Sequence, residues 1–286
     1  MPSLRTITTA AEIQTETRAL RATGKVVGLV PTMGALHEGH LSLVRRARGE
    51  CDAVIATIFV NPAQFGPQED FSRYPRTLQR DLELLAAERC DLVFVPAKEE
   101  IYPPEFSTYV EPPAVAARLE GKCRPGHFRG VATVVLKLFH LIPADAAYFG
   151  QKDYQQSLVI EHMVRDLNLP VNIAVCPIVR EADGLALSSR NRYLSPAERQ
   201  QALALSRSLR LASELVQSGQ RDAAVIAAAM RGELTAAGIE QIDYATVADA
   251  QTLAELNRLD RPAVALVACH VGPTRLIDNF LLDPPS

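Results

Sequence analysis

The chain has 286 residues, enough for one large or two ordinary domains, and a hydrophobic share of 48% supplies a sizeable core. A formal net charge of −3 argues against a nucleic-acid binder driven by bulk phosphate attraction, so basic residues must act locally. Five scattered cysteines (Cys51, Cys90, Cys123, Cys176, Cys269) without a C-x-x-C argue against a zinc ribbon or a disulfide framework and fit reduced thiols in a cytoplasmic protein. In chain order, the N-terminus lacks the basic-then-apolar pattern of a secretory signal. A strand is predicted over residues 26–30. A helix follows over 39–48, with Leu41, Val44 and Arg48 at steps of three and four. The run 53–60 is continuous, apolar and β-branched, as in a strand buried on both faces. A helix over 77–89 carries Leu78, Leu82 and Leu85 on one face, and 92–95 is another strand. The Pro-rich patch 102–113 reads as a surface loop. Val131, Val134, Val135 and Leu138 form a helical stripe over 131–141. This apolar stretch holds Lys137 and His140 and is too short to span a bilayer, so no membrane partner is expected. Strand 145–149, helix 155–167 and strand 171–178 complete the alternation.

Such alternation implies an α/β fold, a Rossmann-like doubly wound parallel sheet whose ligands lie beyond the carboxyl ends of its strands. Beyond residue 178 the pattern changes. Helices are expected over 196–217, with Ser195 as N-cap and Pro196 in the first turn, and over 222–237. Strand-like runs follow at 244–247, 263–269 and 275–277. Helices followed by strands read as a second, smaller α+β C-terminal domain, and the division falls at 181/182.

Five segments carry chemistry. In the first, an apolar strand meets a glycine-containing turn, then His37-Glu38-Gly39-His40, then a helix. That layout suits phosphate, because the helix N-terminus offers unpaired N–H groups and glycines such as Gly34 and Gly39 admit close approach. Alone, two histidines three apart are also consistent with satisfied polar side chains or a weak metal pair; no third ligand lies at zinc spacing nearby. In the second, Asn61 and Gln64 follow strand 53–60 and can bind hydroxyl or carboxylate groups, or merely form an Asn-Pro turn. In the third, residues 124–130 place two arginines and two glycines before a helix, which suits an anion or a tight solvated turn. The fourth, 148–156, offers Lys152 to a phosphate, Asp153 to a ribose or neighbour, and Gln156 one turn into the helix; a solvated Lys–Asp pair is the bland alternative. The fifth, Leu187-Ser188-Ser189-Arg190-Asn191, has two hydroxyls and a guanidinium for phosphates, or is a polar loop with an N-cap. Residues 181–184, with a glycine, read as its hinge.

Met33–His40 (MGALHEGH) resembles the HIGH-type signature of nucleotidylyl-transferring enzymes, and in detail that of the pantothenate synthetases, ligases that join pantoate to β-alanine using ATP. FVNPAQFG (59–66), RPGHFRG (124–130), YFGQKDYQQ (148–156) and LSSRN (187–191) are similar to the same family in the same order. TRLIDN (274–279) resembles the family's ending and reads as structural, a strand with a turn. Leu187 stands where many relatives carry Met, apolar in both cases.

The resemblance implies a two-step reaction through a pantoyl adenylate. His37 and His40 would contact phosphate oxygens, with His40 the candidate proton donor. Met33, Gly34, Gly39, Gly150 and Val179 would line the ATP site, and Met33 could equally wall the pantoate. Lys152 would steady the α-phosphate beside Asp153. Leu187, Ser188, Ser189 and Arg190 would form the counterpart of a KMSKS loop on the β and γ phosphates. Gln64 and Gln156 would hold pantoate, Val134 and Val135 would meet its gem-dimethyl group, and Asn61 would lie near the amine. Mg²⁺ would bridge ATP phosphates, with Asp81 a ligand through water, and the protein would be a homodimer. Two other readings are a different HIGH-type nucleotidylyltransferase without an amine acceptor, and an ATP-binding module that releases no pyrophosphate. The paired glutamines beside an apolar helix favour a small branched acid.

Overall fold

The computed structural model describes residues 4–67 and 69–283. Packing separates two compact units. One takes the described chain up to Gly150 and again over Gln156–Pro177; the other takes Gln151–Gln155 and the described residues from Ile178 onward. The sequence reading set the division at 181/182. In the structure it falls at 177/178, and the turn at 151–155 goes with the second unit.

In the first unit six strands, β1 (Arg5–Ile7), β2 (Val27–Thr32), β3 (Ala53–Ile58), β4 (Leu92–Phe94), β5 (Ala146–Gly150) and β6 (Asn172–Cys176), form one sheet in the order β1-β4-β3-β2-β5-β6. All pairings are parallel. Its helices are α1 (Ala10–Ala22), α2 (Glu38–Glu50), α3 (Leu78–Ala87), the short α4 (Lys98–Ile101) and α5 (Glu120–Cys123), α6 (His127–Leu141) and α7 (Tyr154–Asp166). Strand periodicity sorts the core into two layers. Leu29, Ile55 and Phe94 meet Ile13 of α1 and Val131, Val135 and Leu138 of α6. Val30, Val54, Ala56 and Val93 meet Leu43 and Val44 of α2 and Leu85 of α3. Both faces are covered, so β3 is buried at every residue.

From β2 the chain moves outward to β3 and β4, then returns to place β5 on the other side of β2. The strand order therefore reverses between β2 and β5, and a doubly wound sheet leaves its ligand crevice at the carboxyl ends of such a pair. Four elements went unread in the sequence: β1, α1 and the one-turn helices α4 and α5. The first has three residues, and α1 buries only Ile13 and Thr17, too few to register as a stripe. The helix expected from 131 begins at His127, preceded by Gly126 at φ 83.

In the second unit α8 (Pro196–Gln217) and α9 (Ala223–Ala236) pack on an antiparallel sheet of β7 (Ile242–Asp249), β8 (Ala263–Val271) and β9 (Thr274–Leu282), ordered β7-β8-β9. Leu205 and Leu209 of α8, Ile226 and Met230 of α9, and Ala265, Val267 and Leu276 of the sheet share one core. The last strand has nine residues, far longer than the expected 275–277. Buried Asp278 and Asn279 interrupt its apolar pattern, so the sequence suggests a turn where the strand continues. Among the described residues no helix is long and apolar enough to cross a membrane.

Helix α8 opens on a capping box: Ser195 Oγ accepts the Glu198 N–H at 3.3 Å and Glu198 Oε2 accepts the Ser195 N–H at 2.8 Å. Replacing Ser195 with Ala should destabilise the protein by about 1 kcal/mol. The check is the urea midpoint; an unchanged midpoint would show that the cap contributes nothing.

Candidate active site

The chain leaves β2 through Met33 and Gly34 and reverses over two left-handed residues, Gly34 (φ 82) and Ala35 (φ 50). A Cβ on Gly34 would sit 3.0 Å from Ile58 and 3.1 Å from an Asp81 oxygen, so glycine is required on both counts. The turn points the N–H groups of Ala35 and Leu36 inward. The Asp81 carboxylate accepts both, each at 2.9 Å, and also takes the Thr77 hydroxyl at 3.1 Å. Asp81 is 1% exposed. The Thr32 hydroxyl donates to the Thr57 carbonyl at 2.6 Å and accepts the Gly34 N–H at 3.1 Å, tying the turn to β3.

His37 is the N-cap of α2, and His40 lies in the helix's first turn. Their rings pack with centroids 4.1 Å apart. The His37 backbone N–H donates to His40 Nδ1 at 3.4 Å. A ring nitrogen that accepts carries no proton, so neutral His40 bears its proton on Nε2 and presents it as a donor. The apolar-to-helix transition recognised in the sequence therefore does set both histidines at the mouth of β2.

At the end of β3, Asn61 is 1% exposed. Its Nδ2 donates to Gln64 Oε1 (3.0 Å) and to the Gly130 carbonyl (3.2 Å). Its Oδ1 accepts the Ala63 N–H (3.2 Å) and the Tyr102 hydroxyl (2.8 Å). All four hydrogen-bonding positions are used within the protein, so Asn61 orients Gln64, where the sequence reading had put it against the substrate amine. Gln64 in turn sends Nε2 to Met33 Sδ at 3.3 Å, which brings these two predicted residues together. Burial and nearby Tyr109 push the Tyr102 phenol up, so it stays a donor.

Segment 124–130 differs most from expectation. Arg124 grips Glu69 with two contacts of 2.7 Å, so its charge is engaged inside the protein and not offered to an anion. Burial alone would raise the Glu69 carboxyl, but Arg124 outweighs it and holds it below its ordinary value. Arg124 Nη1 meets His127 Nε2 at 3.2 Å, and His127 Nδ1 meets the Gln64 carbonyl at 2.9 Å. The guanidinium can only donate and the carbonyl only accept, so His127 is neutral with its proton on Nδ1. Burial first, then Arg124, pushes its pKa down to about 4. Gly130 faces the Ala63 carbonyl: a Cβ there would lie 2.1 Å from the oxygen. The glycine lets α6 approach the Asn61–Gln64 turn closely. Val134 and Val135, 6% and 5% exposed, pack in the core of this layer. No local pattern announces Glu69 or Tyr102; both are brought in by loops.

In the second unit, Lys152 lies in the one-turn helix Gln151–Asp153; Lys152 is half-buried and Asp153 exposed. Val179 and Leu187 close a hairpin, with the Leu187 N–H on the Val179 carbonyl at 3.0 Å. Gly184 sits at its tip with φ 95. The hairpin is braced: Arg199 reaches Glu181 (2.7 Å) and Asp183 (2.6 Å), and Asn191 donates to Glu181 (2.8 Å) and the Ala186 carbonyl (3.0 Å). These ties join the segment 181–184, read in the sequence as a hinge, to α8 and to Asn191. Ser188 caps the following turn, Ser189–Tyr193, by accepting the Arg190 N–H at 3.3 Å. Gly39 lies in α2; Gly150 ends β5, and Gln156 stands in α7, half-buried.

A family model described as pantoate-beta-alanine ligase matches residues 5–281. A pantothenate synthetase of Roseiflexus sp. (strain RS-1) is 58% identical over 280 residues, covering 98% of this chain and all of that protein. The crystal structure of pantothenate synthetase from Thermus thermophilus superposes with a TM-score of 0.91 at 47% identity, covering 97% of this chain and 99% of that one. That of the pantoate-beta-alanine ligase from Francisella tularensis, complexed with beta-gamma ATP and beta-alanine, gives 0.80 at 35% identity, with 97% of each chain covered.

The His127 environment makes a pH prediction. Its folded pKa of about 4 lies below the ordinary 6.5, so the unfolded chain binds the extra proton between those values. The stability due to neutral His127 is complete above about pH 6.5 and is lost as pH falls toward 4, by roughly 3 kcal/mol at most. Urea midpoints of the wild type should fall across this window more steeply than those of His127→Gln. Parallel slopes would refute the assignment.

Proposed function

The chain belongs to the pantoate–β-alanine ligase family, and from that premise we propose how its own residues join pantoate to β-alanine with ATP as co-substrate. The pantoate carboxylate attacks the α-phosphorus of ATP. The bond from that phosphorus to the β-phosphate oxygen breaks, pyrophosphate leaves, and pantoyl adenylate remains. The β-alanine amine then attacks the acyl carbon, AMP departs, the amine loses a proton, and pantothenate is released. The substrates supply both nucleophiles, so the protein's task is positioning and charge stabilisation.

The observation that carries the reading is the organised turn after β2. Asp81 fixes its backbone, and neutral His40 presents a donor from Nε2 at the start of α2. His40 donates a hydrogen bond from Nε2 to the departing phosphate oxygen, and His37 contacts a neighbouring phosphate oxygen. Met33, Gly34 and Gly39 line the same turn. Gln64, aimed by Asn61, takes the pantoate hydroxyl or carboxylate together with Gln156. Val134 and Val135 meet its methyl groups from α6. Lys152 steadies the α-phosphate, and Asp153, Gly150, Val179 and Leu187 frame the nucleotide. Ser188, Ser189 and Arg190 take the β and γ phosphates. A cytoplasmic homodimer is part of this reading and rests on the family resemblance.

Mg²⁺ would neutralise charge on the ATP phosphates, whose oxygens suit it. Asp81 does not fit as its partner, because it is buried and both oxygens already accept protein donors. Among the described residues no three His, Cys, Asp or Glu side chains converge on a metal position.

The test is isotope exchange. Protein, ATP, Mg²⁺, pantoate and labelled pyrophosphate, without β-alanine, should place label in ATP only when pantoate is present. His40→Ala should slow exchange by about 100- to 1,000-fold, the usual contribution of a positioned hydrogen-bond donor to developing charge. No pantoate-dependent exchange from folded wild-type protein that binds ATP would overturn the reading.

A further inference from the structure

Buried polar side chains must find partners, and Asn279 of β9, 1% exposed, finds its partners on a single short turn. Its Nδ2 donates to the Gln151 carbonyl at 2.9 Å and to the Lys152 carbonyl at 3.0 Å. Its Oδ1 accepts Gln151 Nε2 at 3.2 Å. Three hydrogen bonds thus bear on the turn that carries Lys152. A lysine stem has four rotatable carbons, so the backbone is the part of Lys152 that the fold can fix. Holding the carbonyls of Lys152 and the residue before it fixes the direction in which that stem leaves.

The neighbouring residue extends the same device. Asp278, 3% exposed, accepts the Asn279 N–H at 2.8 Å and receives Arg180 through two contacts of 2.6 and 3.0 Å. Arg180 also donates to the Gly184 carbonyl at 3.1 Å. It pairs with Ala186 across the hairpin that leads to Ser188. One dipeptide in β9 therefore anchors both the Lys152 turn and the base of the segment 188–190.

We propose that Asn279 is a positioning residue for adenylation, setting Lys152 against the α-phosphate, with Asp278 and Arg180 holding the 188–190 segment in register with it. The proposal rests on the Lys152 role given under Proposed function. Strand β9 then has a part in the reaction beyond its place in the sheet.

The test separates positioning from simple stabilisation. Asn279→Ala should lower the kcat of pantoate-dependent pyrophosphate exchange by about 10- to 100-fold, as a displacement near 1 Å can. The KM for pantoate should stay near the wild-type value. Reaction of supplied pantoyl adenylate with β-alanine, in which no pyrophosphate leaves, should be far less affected. In a Lys152→Ala background, Asn279→Ala should add little further loss, because two residues acting through one group are not additive. A purely stabilising Asn279 would depress both half-reactions together and add its full effect on Lys152→Ala; that result overturns the proposal. Unchanged exchange in folded Asn279→Ala also overturns it, while leaving the Lys152 role intact. Unchanged exchange in Lys152→Ala overturns the Lys152 role and the proposal with it. If Asn279→Ala does not fold, Asn279→Ser, too short to reach both carbonyls, is read in the same assays with the same outcomes.

Discussion

The first unit depends on one buried carboxylate. The chain must turn from β2 into α2 over two consecutive left-handed residues, one of them Ala35. Left-handed backbone at a non-glycine residue is unfavourable by about 1–2 kcal/mol. The turn also drives two N–H groups into a buried site, and each would be disfavoured by about 1–3 kcal/mol if unpartnered. Asp81 accepts both, as charge-assisted bonds of 2.9 Å. The helix that carries Asp81 has its own reason to sit there, since Leu85 one turn on is fully buried in the same layer. Core packing thus delivers the carboxylate, and the carboxylate sets the direction of the two histidines.

Beside it, the end of β3 is arranged by saturation. Every hydrogen-bonding position of Asn61 is used, and the Gln64 carbonyl is held by His127, which is held by Arg124, which Glu69 grips in turn. A fully satisfied buried polar network is rigid, because any displacement leaves some group unpaired in a low dielectric. The Gln64 side chain gains a defined direction without contributing its own packing. Gly130 makes this possible sterically, and Arg124 makes it possible electrostatically by holding Glu69 ionised. The second unit uses arginines in the same way: Arg180 of the hairpin at 179–187 grips buried Asp278, and Arg199 of α8 grips the hairpin's own Glu181 and Asp183.

Much of this could be read in advance. Apolar runs placed five of the six parallel strands within a few residues, and α8 was bounded to the residue because Ser195 and Pro196 mark its start. The glycine-containing turn before His37 and His40 and the helix behind it were legible, since chain reversal and helix N-terminus are both local. What escaped was distant or non-periodic. Strand β1 is too short for a pattern, α1 buries too little, and β9 is interrupted by Asp278 and Asn279.

Local order, the alternation of strand and helix and the residue types at strand ends follow from composition and spacing, because backbone sterics and hydrophobic periodicity act over a few residues. The partners of the charged and amide groups do not. Asp81 read as a ligand-side carboxylate, Asn61 as a substrate contact and Arg124 as an anion site, yet each is turned inward. Their distant partners lie 45 to 46, 41 and 69, and 55 residues away. A polar side chain looks the same in a sequence whether it faces solvent, substrate or protein. Only the packed chain brings together the donors and acceptors that settle which, because a buried polar group must be satisfied wherever the fold leaves it.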